Sequence, residues 1–455
     1  MGNEDNTSSS NLLNEISVGD LVISVPISKD KKIVNWQLPP SKSHAIRTLI
    51  LASQSDDITT ISGIANSGED VNSMKNCLIQ LGVTINDLDS DGQIINTEDG
   101  IKSNEIPSFR VHGVGRNGFS RPKDKLNVGN SGTTLRLIAM LCSRFPFTVL
   151  IDGDETLRSR DTQVLWNSIE QSGVNISFLD KSNRLPVKMT GPWFSKPIDK
   201  IQLDVSKSSQ PLSAWILASP GLEQEVDIER FGTPVSNRHW ELSYQMCKQF
   251  GSKMELNGPI VKLSPWKVNL PEEVEVPKDA SMASFAMLAS LCLGYEINLI
   301  GWPGKEDSIG HEILEVISSK LGLSWKDGII KTHYKNSSIE VDITNSNDLI
   351  TPLSIMMAIS GGGIISGASH TSFKESNRLI STQSLLHCFG MSCTITEDGL
   401  SIPGGQSPKS PKEIVDSYGD HRIFMSAFIL ASKVGAEIRG EGLHMIADEL
   451  FIERL

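Results

Sequence analysis

The chain has 455 residues, 38% hydrophobic and 21% charged, with 42 Lys and Arg against 54 Asp and Glu for a formal charge of −12. That length predicts two domains with full cores, and the negative balance argues against nucleic acid as a partner, because phosphate backbones select a basic stripe. Apolar stretches such as 283–293 are broken by Ser and fall well short of the roughly 20 continuous residues that span a bilayer, so no membrane partner is expected.

The first fifteen residues, MGNEDNTSSSNLLNE, are acidic and lack the basic and apolar regions of a signal peptide; Asn6 breaks the usual myristoylation pattern. Apolar runs at 21–27 and 33–38 then predict two extended segments. Six helices of nearly one design follow, beginning at Ser41 (SKSHAIRTLILAS), Gly129 (GNSGTTLRLIAML), Ser208 (SSQPLSAWILASP), Asp279 (DASMASFAMLASL), Asp348 (DLITPLSIMMAIS) and Asp420 (DHRIFMSAFILAS). The steps between them are 88, 79, 71, 69 and 72 residues, a regular repeat too long for a solenoid. These helices read apolar almost all round, which predicts burial. In phase with them, five amphipathic helices end at Gly82, Gly173, Gly251, Gly322 and Gly390, each followed by an apolar extended run. The sixth unit stops about half a unit early, so the N-terminal runs are expected to supply its missing strands and bring the termini together. Cys77, Cys142, Cys247, Cys292, Cys388 and Cys393 lie scattered without CxxC spacing, which predicts reduced thiols in a cytosol-like compartment.

With the net charge negative, an anionic substrate needs a local cationic pocket, and the helix starts offer one. Ser41, Lys42, Ser43 and Arg47 open a helix after Pro39-Pro40, where free N–H groups and the macrodipole favour an anion; a solvated basic helix start is the alternative. Gly129 and Gly132, set among Asn130, Ser131 and Thr133, allow close backbone approach to a ligand, without the Lys-Ser/Thr ending of a nucleotide P-loop. Arg158 and Arg160 follow a strand-like VLIDGD, where alternation puts both guanidiniums on one side unless they pair on the surface with Asp154 and Glu155. Ser208, Ser209 and Gln210 suit a polyol or sugar-like ring. Lys374, Glu375 and Arg378 read as one helical turn, with Lys374 and Arg378 repelling at i,i+4 unless a negative group joins them. Asp420, His421 and Arg422 put charge at the start of a buried helix.

Together these motifs resemble the 5-enolpyruvylshikimate-3-phosphate synthase family. The match is collinear from Pro39 to Arg422: SKSxxxR at 41–47, GNxGT at 129–133, SSQ at 208–210, DAS at 279–281, the proton-transfer Asp348, KExxR at 374–378 and DHR at 420–422. The resemblance implies an α/β (α+β) fold of six βαβαββ units, three per domain with threefold pseudosymmetry. One domain comprises 1–39 plus 279–455 and the other is the inserted 40–278, with the active site in the cleft between them. It implies transfer of the enolpyruvyl group of phosphoenolpyruvate to the 5-hydroxyl of shikimate 3-phosphate with release of phosphate, a step toward chorismate and the aromatic amino acids, without metal or other cofactor.

By the same resemblance Asp348 is the hydroxyl base, and Lys42, Lys374 and Glu375 deliver protons and stabilise charge. Phosphoenolpyruvate is held by Lys42, Asn130, Gly132, Arg160, Gln210, Arg378 and Arg422. Shikimate 3-phosphate is held by Lys42, Ser43, Arg47, Ser208, Ser209, Gln210, Asp348, His370 and Lys374, with Ser236 or Arg238 near its phosphate. The sequence departs from the family at Pro40 (usually Gly), Ser131 (often Ala), Asp161 (Pro), His370 (often Asn) and Ile446, where many relatives place a phosphoenolpyruvate-binding Lys. The related transferase acting on UDP-N-acetylglucosamine commonly uses a loop Cys, which residues 111–124 lack. A non-catalytic anion-binding descendant is disfavoured by Asp348, Glu375, Lys42 and Lys374 standing together. A cytoplasmic monomer is expected.

Overall fold

The computed structural model describes residues 21–28, 32–95, 106–195, 198, 200–333 and 336–455; the acidic stretch 1–15 lies outside them. The six apolar helices form at Lys42–Gln54, Gly132–Cys142, Gln210–Ala218, Ala283–Leu293, Ile350–Ile359 and His421–Val434. They are buried on every side: in Lys42–Gln54 each residue from His44 to Gln54 is shielded from water. The outer helices bury one face only, as Gln163–Gln171 does with Leu165, Trp166, Ser168 and Ile169. Gly82, Gly173, Gly251, Gly322 and Gly390 follow the outer helices with φ between 70° and 116°, the left-handed region that releases the chain into the next strand.

The helices pack on small mixed sheets; among the described residues five of these have four strands in one repeated topology, and the sheet of the last unit has three. In the third, Lys200–Asp204 runs parallel to Val226–Phe231, which pairs antiparallel with Ile260–Leu263, and that strand with Glu255–Asn257. The N-terminal strands complete two sheets from a distance. Ile33–Gln37 lies parallel to Glu296–Ile300, and Val22–Val25 pairs antiparallel with Ala436–Arg439 beside Val415–Asp416. Glu273–Glu275 likewise returns to run parallel to Ile58–Ser62 and completes the first sheet.

The apolar interior divides in two. One core gathers residues from Ala45 to Val276, and the other gathers Val25 to Leu38 with Met282 to Phe451. The chain passes between the two lobes at adjacent points, where Pro40 bridges Lys278, the Ser41 N–H donates to the Pro277 carbonyl at 2.8 Å, and the Asp279 N–H donates to the Pro39 carbonyl at 2.8 Å. Elsewhere the lobes meet along a polar seam. The Asn347 amide donates to Ser236 Oγ at 2.6 Å, the Ser236 N–H to the Thr344 carbonyl at 3.0 Å, and Arg238 lies 3.7 Å from Glu312. Among the described residues no helix is long and apolar enough to cross a membrane. All six cysteines are free, five of them buried and Cys388 exposed.

Candidate active site

A cavity between the lobes is lined by the starts of five core helices: Lys42 and Ser43, Gly132 and Thr133, Gln210 and Pro211, Asp348, and His421. The start of the Asp279 helix opens on a smaller adjoining cavity. Short side chains fix several of these starts. Ser131 Oγ accepts from the Thr134 N–H, Asp279 from the Ser281 N–H at 2.9 Å, and Asp420 from the Arg422 N–H at 2.9 Å. Ser41 does not cap; its hydroxyl meets His44 Nδ1 at 2.8 Å.

On the second lobe a buried Arg378 organises the carboxylates. Its guanidinium donates to Asp420 at 2.8 Å, to Asp348 at 2.8 Å and to Glu375. Arg422 stands 3.3 Å from the same Asp348 oxygen and donates to Ser281 Oγ at 3.0 Å. Burial alone raises a carboxyl pKa, but at Asp348 the fields of Arg422, Arg378 and Lys374 outweigh it and hold the group well below the usual carboxylate range. Glu375 is depressed in the same way by Arg378 and Arg160 against the cost of its burial. Lys374 has no such surplus. Burial pushes it down to about 8, with Asp348 opposing and Arg378 adding to the fall. Lys42 is the opposite case: burial lowers its pKa, yet Asp70 at 3.1 Å, with Glu375 and Asp348, raises it on balance, so the ammonium is retained. Glu375, Asp420 and His421 bring ligand atoms within 4.8 Å of one another, a spacing that a metal ion could use; Arg378 already donates to both carboxylates.

On the first lobe Lys42 has Asp70, but the two arginines of the cavity wall, Arg136 and Arg160, have no carboxylate partner among the described residues. Arg160 donates to Asn130 Oδ1 while its Nε is buried without a partner, and Arg136 donates only to the Gly132 carbonyl at 2.6 Å. Burial, and then Arg160, pull Arg136 down to about 10. A Cβ built on Gly132 would stand 2.8 Å from Arg136 Nη1 and 3.4 Å from Arg160 Nη1, so glycine here leaves open the space beside both guanidiniums. Buried, unpaired cations on a cavity wall make a binding place for an anion.

The residues singled out in the sequence distribute unevenly. Lys42, Ser43, Gly132, Arg160, Ser208, Gln210, Asp348, His370, Lys374, Glu375 and Arg378 line the cavity. Asn130 and Arg422 stand behind it, holding Arg160 and Asp348. Arg47 is fully buried, its donors directed to Ser243 Oγ, Ser213 Oγ and the carbonyls of Ser43 and His239; with only neutral acceptors, burial lowers it to about 10. Ser209 donates to the Ser236 carbonyl at 2.7 Å, and Ser236 and Arg238 lie in the seam between lobes.

Two local readings are corrected. Lys374 and Arg378 do not share a helical face, because the helix begins at Arg378 and Lys374 is extended; both cations act on Asp348, the negative group that joins them. Arg158 and Arg160 also separate: a short helix, Glu155–Arg158, intervenes, sending Arg158 to Asp152 at 2.7 Å and Arg160 into the cavity. Arg136 and His239, which also line the cavity, are not among the residues that the motifs single out. Arg136 could have been found from its place one turn after Gly132. His239 carried no local signal; burial and the field of Arg47 push its imidazole down to about 3, so it is neutral, with Nδ1 unpartnered.

Two lobes of repeated mixed sheets thus meet on a cavity where ionised carboxylates face arginines without carboxylate partners. Solved structures share this fold: EPSP synthase from Acinetobacter baumannii superposes with a TM-score of 0.71 at 23% identity, covering 95% of this chain and 97% of that one. An enolpyruvyl transferase from Streptomyces tendae gives 0.70 at 13% identity, covering 96% and 97%. The model of the EPSP synthase (3-phosphoshikimate 1-carboxyvinyltransferase) family matches residues 27–448, and the chain belongs to that family. Curated relatives named 3-phosphoshikimate 1-carboxyvinyltransferase include proteins from Caldicellulosiruptor saccharolyticus, 32% identical over 91% of this chain and 94% of the relative, and Streptococcus thermophilus, 31% identical over 87% and 89%.

Proposed function

We infer that this chain transfers the 1-carboxyvinyl group of phosphoenolpyruvate to the 5-hydroxyl of shikimate 3-phosphate and releases phosphate. Both substrates carry a carboxylate and a phosphate, which accounts for unpaired cations lining one cavity in a protein of net negative charge. The observation that carries the reading is geometric: Asp348, ion-paired with Arg378 at 2.8 Å and Arg422 at 3.3 Å, and Lys374 line one cavity with Arg136 and Arg160 of the other lobe.

Addition across the enol needs a proton delivered to the methylene carbon while the attacking hydroxyl loses one; elimination from the tetrahedral intermediate then takes a proton back from the new methyl group as the C–O bond to phosphate breaks and phosphate leaves. Asp348, ionised, takes the hydroxyl proton. Lys374 is the group able to give and recover a proton near neutrality, because its pKa lies close to the working pH. Lys42 keeps its charge and serves as a fixed cation for an anionic oxygen. Glu375, held ionised beside Arg378, orients that guanidinium rather than acting as an acid in the ligand-free site. In this proposal Arg160, Arg378, Gln210 and Gly132 hold the donor, with Asn130 and Arg422 supporting them. Ser43, Ser208 and His370 hold the acceptor, with Arg47, Ser209, Ser236 and Arg238 shaping its wall. The working domains are 40–278 and 1–39 plus 279–455. We place the enzyme in the cytoplasm as a monomer, a reading that its free thiols support and light scattering would check.

Phosphate release from phosphoenolpyruvate plus shikimate 3-phosphate tests the reaction, with UDP-N-acetylglucosamine as the competing acceptor. Release with shikimate 3-phosphate alone, reduced on the order of 10²- to 10⁴-fold by Asp348→Ala, is expected; release only with the nucleotide sugar, or with neither, overturns it.

A further inference from the structure

Lys207 and Phe373 face each other across the cleft and belong to neither the carboxylate cluster nor the arginine wall. Lys207 sits on the first lobe between the strand Lys200–Asp204 and the helix Gln210–Ala218. Phe373 ends the 3₁₀ turn Ser369–Phe373 on the second lobe, immediately before Lys374. Both line the cavity, and the Lys207 ammonium lies 5.7 Å from the centroid of the phenyl ring. Lys207 also lines an outer groove with Gln163, Asn167 and Phe231, so it stands where the cavity meets the surface. Phe373 is 57% exposed, too much for a residue kept for core packing. The nearest carboxylate in sequence, Asp204, accepts from the Ser206 N–H at 2.8 Å.

We propose that Lys207 and Phe373 form a latch at the cleft mouth, a cation–π contact that favours the closed arrangement and holds the Lys374 segment in place. Neither residue touches a reacting atom; both act by position. Exposed cation–π contacts shift an equilibrium by about 2- to 5-fold, and a ligand that needs the closed state loses apparent affinity by that factor when the latch is removed. At saturation the substrates themselves supply the closing free energy, so the loss falls on KM rather than on kcat.

The kinetic form of this inference rests on the proposed reaction, whereas the contact does not. Lys207→Met and Phe373→Leu should each raise KM for shikimate 3-phosphate about 2- to 5-fold without lowering kcat. The double variant should be no worse than either single one, because both remove the same interaction. Phe373→Trp, which keeps a ring for the ammonium, should restore the wild-type KM. Multiplicative effects in the double variant, or Phe373→Trp behaving like Phe373→Leu, overturn the latch. A second arm needs no turnover: Lys207→Cys with Phe373→Cys, in a Cys388→Ser background that removes the exposed thiol, should be joined within one molecule by a short bis-maleimide. Failure to join overturns the contact itself. If the wild-type protein releases no phosphate while the thiols join, the reaction and the kinetic role fail and the contact across the cleft stands.

Discussion

Arg136 and Lys374 show how burial turns ordinary side chains into chemical groups. Arg136 is enclosed with a second guanidinium nearby and no carboxylate, a cost that folding bears without return until an anion arrives. Replacing it by Met should weaken inorganic phosphate about 10- to 100-fold, the worth of a charge-assisted hydrogen bond, while Tm holds or rises; calorimetric titration and thermal melts check both. Lys374 has a folded pKa of about 8 against 10.5 for the free group. If its ammonium delivers the proton, kcat/KM falls as pH rises through about 8, and Lys374→Arg, which cannot deprotonate there, removes that limb at reduced rate. The sign for stability is opposite to that of a salt-bridged lysine. The burial cost is fully present below pH 8 and is relieved as pH rises toward 10.5. Lys374→Met should therefore raise Tm at pH 7, with the gain fading toward pH 10.

At the scale of elements, the repeat was written in the chain because its signals are local. A helix apolar on all faces has to be buried, and a glycine at positive φ has to end the helix before it, so the positions of both followed from spacing alone. Gly173→Ala illustrates the second point: its φ is 88° and, among the described residues, a new Cβ would meet only Ser195 Oγ at 3.4 Å, so the expected loss of about 1–2 kcal/mol in chemical denaturation is backbone strain. The N-terminal strands were legible as apolar runs, but the half unit missing at the C-terminus gave the partner of only one: Val22–Val25 joins Ala436–Arg439 there, whereas Ile33–Gln37 pairs with Glu296–Ile300 in the fourth unit, a long-range pairing that the repeat spacing does not specify. Trp36 anchors the second of them, fully buried with its ring 6.1 Å from that of Phe451. Trp36→Ala should cost about 3–5 kcal/mol, read in the same denaturation experiment. Where local pattern failed, at Lys374 to Arg378 and at Arg158 to Arg160, a short turn of backbone intervened that four or five residues of sequence do not specify.

Across the whole molecule, the lobes close on contacts that no single segment announces. Gly68, with φ 79°, has the Ile446 carbonyl oxygen of the other lobe 2.5 Å from where a Cβ would stand. Gly68→Ala should therefore obstruct closure, raising KM for both substrates at least 10-fold while Tm falls by only a few degrees, because the core of each lobe is untouched. Ser236 and Arg238, one of which the resemblance places near a substrate phosphate, lie in the seam, with Ser236 held by Asn347 and Arg238 3.7 Å from Glu312. What the sequence determined by itself was the six-unit fold, the family and the helix starts that reach the cavity, since helix starts and their neighbouring side chains are fixed by short-range chemistry. The tertiary structure alone decided which cations go unpaired, that Arg47 is spent on neutral acceptors, that His239 reaches the cavity and that Lys207 meets Phe373. Those properties depend on distances between residues far apart in the chain, and on a dielectric environment that exists only once the lobes have closed.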